Sequence, residues 1–127
     1  MKIFDNDGKI NFVDDNNVFV GFDYEQTCSE SFGYTFSDKK PSSYGEFKQI
    51  EESEIELESY EFDTYFFQTL QDGDCGGNAT FRLTNGLYGD KQKEIFLTIF
   101  NTHNGYYSHG FEFVEGNYGK TLQSGKL

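Results

Sequence analysis

Short runs of β-branched and aromatic residues alternate with turn signals along the chain, and this pattern is typical of β-strands. Residues 2–4 and 9–13 flank Asp5-Asn6-Asp7-Gly8, and an Asp-Gly pair between two apolar runs predicts a hairpin. Further strands are predicted at residues 18–24 and 32–37. The first third of the chain therefore indicates antiparallel β-structure.

The C-terminal half continues the pattern. Residues 80–84 predict a strand, and residues 93–100 form the most hydrophobic run, which favours a central strand. Asn104-Gly105 is a hairpin signal, so residues 106–114 are expected to pair back onto that central strand. Residues 71–78 are rich in Gly and Asp and predict a loop.

In the middle of the chain, residues 54–61 alternate in polarity, with Ile55 and Leu57 between carboxylates. This alternation predicts a half-buried strand with one carboxylate face. Tyr60 and Phe62 continue the alternation in the opposite phase, which a β-bulge would reconcile. The strand is expected to continue through three aromatic residues: Tyr65, Phe66 and Phe67.

About seven or eight strands are expected in total, with at most one short helix within residues 43–52. The predicted fold class is all-β, an antiparallel β-sandwich or a partly open barrel. The 15 Phe and 9 Tyr supply large side chains for a core although only 35% of the residues are hydrophobic. We expect a single β domain over residues 1–115 and a loose, polar C-terminal tail over residues 116–127.

Charge narrows the classes of partner. The chain carries 22 Asp and Glu against 10 Lys and Arg, a formal net charge of −12. Such a surface repels nucleic acid and anionic membranes and attracts basic proteins. The acidic residues concentrate between residues 46 and 63, where Lys48 is the only base. The predicted partner-binding residues are Glu51, Glu52, Glu54, Glu56, Glu58, Tyr60, Glu61 and Asp63.

On a strand, Glu54, Glu56 and Glu58 would share one face at intervals of about 7 Å. This interval is close to the phosphate spacing of one nucleic-acid strand, so the row would mimic a nucleic-acid backbone in the basic cleft of a nuclease. The alternative is a solvated sheet face, or an edge strand that its charges protect from aggregation.

Other residues suggest a calcium-dependent carbohydrate-binding module as an alternative. Its acidic loop would supply oxygen ligands, and its exposed tyrosines would stack on sugars. A flexible acidic loop and core packing of the aromatic rings explain the same residues. The residues in question are Asp72, Asp74, Asn78, Tyr106, Tyr107 and Tyr118.

No catalytic motif is present in the sequence. Cys28, Cys75, His103 and His109 match neither a zinc signature nor a local nucleophile pattern, so we expect no enzyme, no metal and no cofactor. The N-terminus lacks the apolar region of a signal peptide, and no run is long enough to span a membrane. We therefore expect a cytoplasmic protein with free thiols, or one disulfide if the chain is exported.

Two short pieces of the chain resemble a known group of proteins. Asn104-Gly105-Tyr106-Tyr107-Ser108, followed by Phe111-Glu112-Phe113, resembles the C-terminal end of small acidic β-rich proteins of bacteria and phages. Cys28-Ser29-Glu30 resembles their Cys-Cys-Glu element, with a serine in place of one cysteine. That group has no assigned activity, so the resemblance implies a β-rich fold and no function.

In general character, the chain is also similar to immunity proteins of polymorphic toxin and contact-dependent growth inhibition systems. Those proteins are small, cytoplasmic and often acidic, and they bind basic nuclease toxins. The sequence therefore leads to the hypothesis of an acidic immunity protein that neutralises a basic toxin, with a nuclease domain as the expected partner. A phage-encoded inhibitor of a host defence nuclease is the related alternative.

Overall fold

The computed structural model describes residues 1–6, 8–23, 31–41, 48–71, 76–102 and 109–127. Four short 3-10 helices span Glu52–Glu54, Leu57–Ser59, Gly89–Lys91 and Gly116–Tyr118. The strands are β1 (Lys2–Asn6), β2 (Lys9–Val13), β3 (Val18–Asp23), β4 (Ser31–Ser37), β5 (Gln49–Ile50), β6 (Glu61–Phe62), β7 (Gln68–Gln71), β8 (Gly76–Thr84), β9 (Glu94–Thr102), β10 (Gly110–Glu115) and β11 (Lys120–Lys126).

The strands form two antiparallel sheets in a sandwich-like arrangement that is not a closed barrel. The order of the first sheet is β1-β2-β3-β10-β11, and that of the second is β5-β4-β9-β8-β6, with β7 also paired to β8. The predicted all-β class is therefore confirmed. The described residues form eleven strands, more than predicted, because β5 and β6 are two-residue strands that hydropathy does not reveal.

Aromatic side chains on the two inner faces build the core. Phe12, Val20 and Phe113 of the first sheet are almost fully buried, as are Phe81 and Leu97 of the second. The rings of Phe81 and Phe113 meet edge to face across the interface, with centroids 5.1 Å apart. Such a pair adds about 0.5–1.5 kcal/mol to the burial of its area. The abundance of Phe thus compensates for the low aliphatic content.

Most strands with clear alternation lie where the sequence predicts them. β1 and β2 form the expected hairpin, with Asn6 opposite Lys9. Gly8 has a φ of 85°, the left-handed conformation that such a turn requires. β9 lies between β4 and β8 at the centre of its sheet, which confirms the prediction of a central strand.

The predicted pairing of β10 with β9 is wrong. β10 lies in the other sheet, between β3 and β11, with Glu112 opposite Gly21. The chain therefore crosses from one sheet to the other after β9, and the predicted turn at residues 104–105 lies outside the described residues. A hairpin signal gives the local turn chemistry, whereas the choice of sheet depends on which face can be buried.

The loose C-terminal tail is also a wrong prediction. Residues 120–126 form β11, which pairs with β10 along its whole length, from Lys120 opposite Glu115 to Lys126 opposite Gly110. Leu127 is only 1% exposed, and its backbone exchanges two hydrogen bonds with His109. The polar sequence of β11 reflects an edge strand of the sheet, not a lack of structure.

Two further predictions fall partly outside the described residues. Of the predicted loop over residues 71–78, Gly76 to Asn78 belong to β8, and residues 72–75 lie outside the description. Of the predicted short helix over residues 43–52, residues 49–50 are β5, and residues 43–47 are not described. The extension of a strand through Tyr65–Phe67 is wrong, because the backbone turns there: the Tyr65 N–H donates to Asp63 Oδ1 at 3.0 Å.

Candidate functional site

The acidic segment, residues 51–63, is folded as two consecutive 3-10 turns and not as the predicted strand. Residues Glu52–Glu54 and Leu57–Ser59 are 3-10 helical, and only Glu61–Phe62 forms a strand. The Ile55 N–H donates to Glu52 O at 3.1 Å, and the Tyr60 N–H donates to Leu57 O at 3.0 Å. The predicted row of Glu54, Glu56 and Glu58 at strand spacing is therefore wrong.

Local hydrogen bonding explains this backbone. Within the described residues, no strand pairs with residues 51–60, so their N–H and C=O groups bond to each other. The Met1 amino nitrogen adds a donor and contacts Leu57 O at 2.8 Å. In a 3-10 helix, positions three apart lie on one side, which places Leu57 and Tyr60 together. The change of phase at Tyr60 is thus the mark of a 3-10 turn and not of a bulge.

The segment exposes five carboxylates. Among the described residues, none of the five lies within ion-pair distance of a Lys or Arg side chain. Glu52 Oε1 accepts a hydrogen bond from the Tyr34 hydroxyl at 2.7 Å. Carboxylates without a Lys or Arg ion-pair partner among the described residues give this surface an electrostatic attraction for cationic groups. The exposed carboxylates belong to Glu51, Glu52, Glu54, Glu56 and Glu58.

Glu61 and Asp63, which the sequence assigns to partner binding, are engaged within the chain. Glu61 Oε2 accepts a hydrogen bond from Asn16 Nδ2 at 2.9 Å. Asp63 Oδ2 lies 3.0 Å from Arg82 Nη1, and Arg82 Nε also donates to Glu94. Partial burial acts to lower the pKa of Arg82, but its hydrogen bonds with Glu94 and Asp63 raise that pKa above the ordinary value. These contacts attach the end of the acidic segment to β8 and to the turn between β2 and β3.

Asp14 holds the same end of the segment from the other sheet. Its side chain is buried in the turn between β2 and β3 and accepts three backbone N–H groups. Oδ1 accepts from Asn16 and Val18, and Oδ2 accepts from Phe62 at 2.9 Å. The first sheet therefore helps to fix the position of β6 at the end of the acidic segment.

A groove of about 510 Å³ opens beside the acidic segment. Glu54, Glu56 and Tyr60 line it from this segment. Ile95 of β9 and Leu87 of the turn between β8 and β9 line it with apolar atoms. The lining also includes Ile50, Ile55, Ser59, Asn85 and Lys93. The groove thus combines carboxylates with an aliphatic surface.

Tyr60 is half-buried in this groove. Burial raises the pKa of Tyr60 above its ordinary value of 10.0, and the negative charge of Glu56 raises it further. The hydroxyl therefore stays protonated at neutral pH, and the ring offers a partly desolvated aromatic face. Among the predicted residues, Glu54, Glu56 and Tyr60 are the three that the structure brings together around one cavity.

Sequence reasoning missed the opposite wall of the groove. Leu87 is 48% exposed and Lys93 is also exposed, and both flank the 3-10 helix Gly89–Lys91. The available signal is an exposed aliphatic side chain directly after the turn Asn85-Gly86. Its contact with the acidic segment depends on the pairing of β6 with β8, which hydropathy alone does not give.

Most residues of the alternative hypotheses lie outside the described part of the chain, including Cys28, Cys75, Asp72, Asp74, His103, Tyr106 and Tyr107. Asn78 lies in β8, Tyr118 is 81% exposed, and His109 is buried with Nδ1 2.7 Å from Asp23 O. Within the described residues, no group of three or more His, Cys, Asp or Glu side chains is arranged to hold a metal ion. No helix there has the length and apolar character needed to cross a membrane.

The chain matches no protein-family model, no curated protein and no solved structure. The resemblance of residues 104–113 to small acidic β-rich proteins stays a prediction, and residues 24–30 and 103–108 lie outside the described residues. Function is therefore inferred from the geometry and charge of this chain alone.

Proposed function

We propose that this protein is an inhibitory binding protein, an immunity protein that neutralises a basic nuclease toxin by stoichiometric binding. The observation that carries the proposal is a set of exposed carboxylates, without Lys or Arg partners among the described residues, beside a groove whose lining is partly apolar. Carboxylates give fast and specific association, and desolvated apolar contacts supply the affinity that charge alone does not.

The chemistry of the expected target supports this reading. A nuclease holds nucleic-acid phosphates with Lys and Arg, so its cleft is cationic. An anionic protein with a net charge of −12 is drawn to that cleft from a distance, and its carboxylates then compete with phosphate for the same cations. Because the acidic segment is not a strand, the proposal rests on local charge and not on a regular row that copies phosphate spacing.

The charge-reversed variant Glu54→Lys/Glu56→Lys/Glu58→Lys tests the proposal. We expect it to bind the cognate basic protein at least about tenfold more weakly, a loss of about 1.4 kcal/mol. The affinity is measured by calorimetry at low and moderate salt, with the basic protein that co-purifies with this chain or is encoded beside its gene. A neighbouring toxin gene would indicate immunity, and a phage early operon would indicate inhibition of a host defence nuclease.

The matched control is Asp5→Lys/Asp15→Lys/Asp90→Lys, which changes the net charge equally at three exposed positions outside the acidic segment. We expect the control to bind within about threefold of the unmodified protein at moderate salt, where long-range attraction is screened. If both variants bind the basic protein equally weakly, the loss of affinity is an effect of net charge and not of the acidic segment. Unchanged affinity of the charge-reversed variant would move the interface away from the acidic segment.

A further inference from the structure

The groove beside the acidic segment is lined by carboxylates and by aliphatic side chains. Glu54 and Glu56 are exposed on one wall, and neither lies within ion-pair distance of a Lys or Arg among the described residues. Among the described residues that line the groove, Lys93 is the one with a cationic side chain. Ile95 is only 5% exposed, and Ile55 is half-buried. An occupant of matching chemistry therefore carries a cation on an aliphatic stem.

We propose that this groove binds an arginine side chain from a loop of the protein partner, with an apolar neighbour of that arginine against Leu87. This proposal rests on the proposed function, because it names the part of the basic partner that enters the site. Tyr60 would face the guanidinium, and Glu54 and Glu56 would accept its hydrogen bonds.

Arginine fits these residues better than lysine. Its planar guanidinium pairs with a carboxylate through two parallel hydrogen bonds and stacks on an aromatic ring. It is also more weakly hydrated than an ammonium group, so it loses less when it enters a partly apolar groove. Its methylene stem covers aliphatic surface such as that of the half-buried Ile55. Arginine and aromatic residues are also enriched among the residues that dominate binding energy at interfaces.

The size of the groove agrees with more than one inserted side chain. Its volume of about 510 Å³ lies within the usual range for ligand sites, roughly 300–1,000 Å³. Leu87 is 48% exposed at its margin and offers an apolar contact to a residue next to the arginine. A loop that presents an arginine beside an aliphatic residue fills both parts of the groove.

The test is an NMR titration with two blocked pentapeptides that share the sequence glycine-leucine-X-leucine-glycine. In one peptide X is arginine, and in the other it is citrulline, which has nearly the same shape and no charge. We expect the arginine peptide to shift the amide signals of Ile55, Tyr60 and Lys93. We also expect it to bind at least about tenfold more tightly than the citrulline peptide.

Two variants locate the effect. Glu54→Gln/Glu56→Gln is expected to remove the preference for arginine over citrulline. Asp15→Asn/Asp90→Asn, which makes the same change of charge at exposed positions outside the groove, is expected to keep that preference. The unliganded amide spectrum of each variant shows directly whether its fold is preserved.

Three results would overturn the proposal. The first is equal affinity for the arginine and the citrulline peptide. The second is a set of amide signal shifts that map to residues outside the groove. The third is that amide signals of groove residues shift with protein concentration when no peptide is present. The last would identify a second copy of this chain as the occupant. If the peptide fails while the charge-reversed variant still weakens the partner complex, the proposed function stands with another occupant. If the peptide binds and no basic protein is inhibited, only the proposed function fails.

Discussion

At the scale of single residues, Asp14 links the first sheet to β6 at the end of the acidic segment. It is 5% exposed and is bonded to backbone N–H groups of its own turn and of Phe62. In sequence, Asp14 lies between the predicted strands at residues 9–13 and 18–24, and the structure places it in the turn between β2 and β3. Its bond to Phe62 is not readable from sequence, because residues 48 positions apart give no periodic signal.

Replacement of Asp14 by asparagine is expected to lower the free energy of unfolding by about 2–3 kcal/mol. The amide retains one oxygen, but its NH₂ group then faces the N–H of Phe62 or of Val18, and hydrogen bonds to a charged acceptor are lost. Urea unfolding measures the change. Asp15→Asn, at the exposed neighbouring position, is the control and is expected to stay within about 0.5 kcal/mol. An Asp14→Asn variant as stable as the control would show that this carboxylate does not anchor the segment.

At the scale of elements, sequence patterns predict strands well where a strand is paired on both sides within its sheet. β3 and β9 are such strands, with β-branched and aromatic residues and central places in their sheets. Of the two edge strands of the first sheet, β1 is predicted through its hairpin turn, whereas β11 is not. β11 is polar because most of its side chains face solvent. Residues 54–60 of the acidic segment alternate in polarity without pairing to any described strand. An alternating pattern shows which side chains are buried, but it does not identify the backbone conformation. Two 3-10 turns with half-buried Ile55 and Leu57 give the same alternating pattern as a strand.

The assignment of β11 to the fold predicts the effect of a mutation at its end. Leu127→Ala is expected to lower the free energy of unfolding by about 2–4 kcal/mol, since the side chain is buried in the core. Gln123→Ala, at an exposed position of β11, the strand that directly precedes Leu127, is the control. Thermal or urea unfolding measures the free energy of unfolding of both variants. Equal stability of Leu127→Ala and the unmodified protein would mean that the end of the chain is not packed in solution.

At the scale of the whole molecule, the sandwich brings together surface features that are distant in sequence. The acidic wall of the groove comes from residues 54–60, and the opposite wall comes from Leu87 and Lys93. Composition alone predicts a cationic partner, because the net charge of −12 follows directly from the numbers of acidic and basic residues. It does not predict the groove, which exists only because β6 pairs with β8 next to β9.

The fold also divides the predicted binding residues by role. Glu54, Glu56 and Tyr60 line the groove, whereas Glu61 and Asp63 are bonded to Asn16 and Arg82. All of them are polar residues of one acidic run, so sequence alone cannot separate a surface charge from a charge that holds the chain together. The separation follows from which strand and turn lie beside each side chain.

The most direct test of the central claim is a titration of nuclease activity. The cognate basic protein is purified, its nuclease activity is assayed at moderate salt, and this protein is added in increasing amounts. The proposed inhibition predicts a linear fall of activity to its minimum at one equivalent, and a weaker effect of Glu54→Lys/Glu56→Lys/Glu58→Lys. Full nuclease activity in the presence of excess protein would contradict the claim that it neutralises a nuclease by stoichiometric binding.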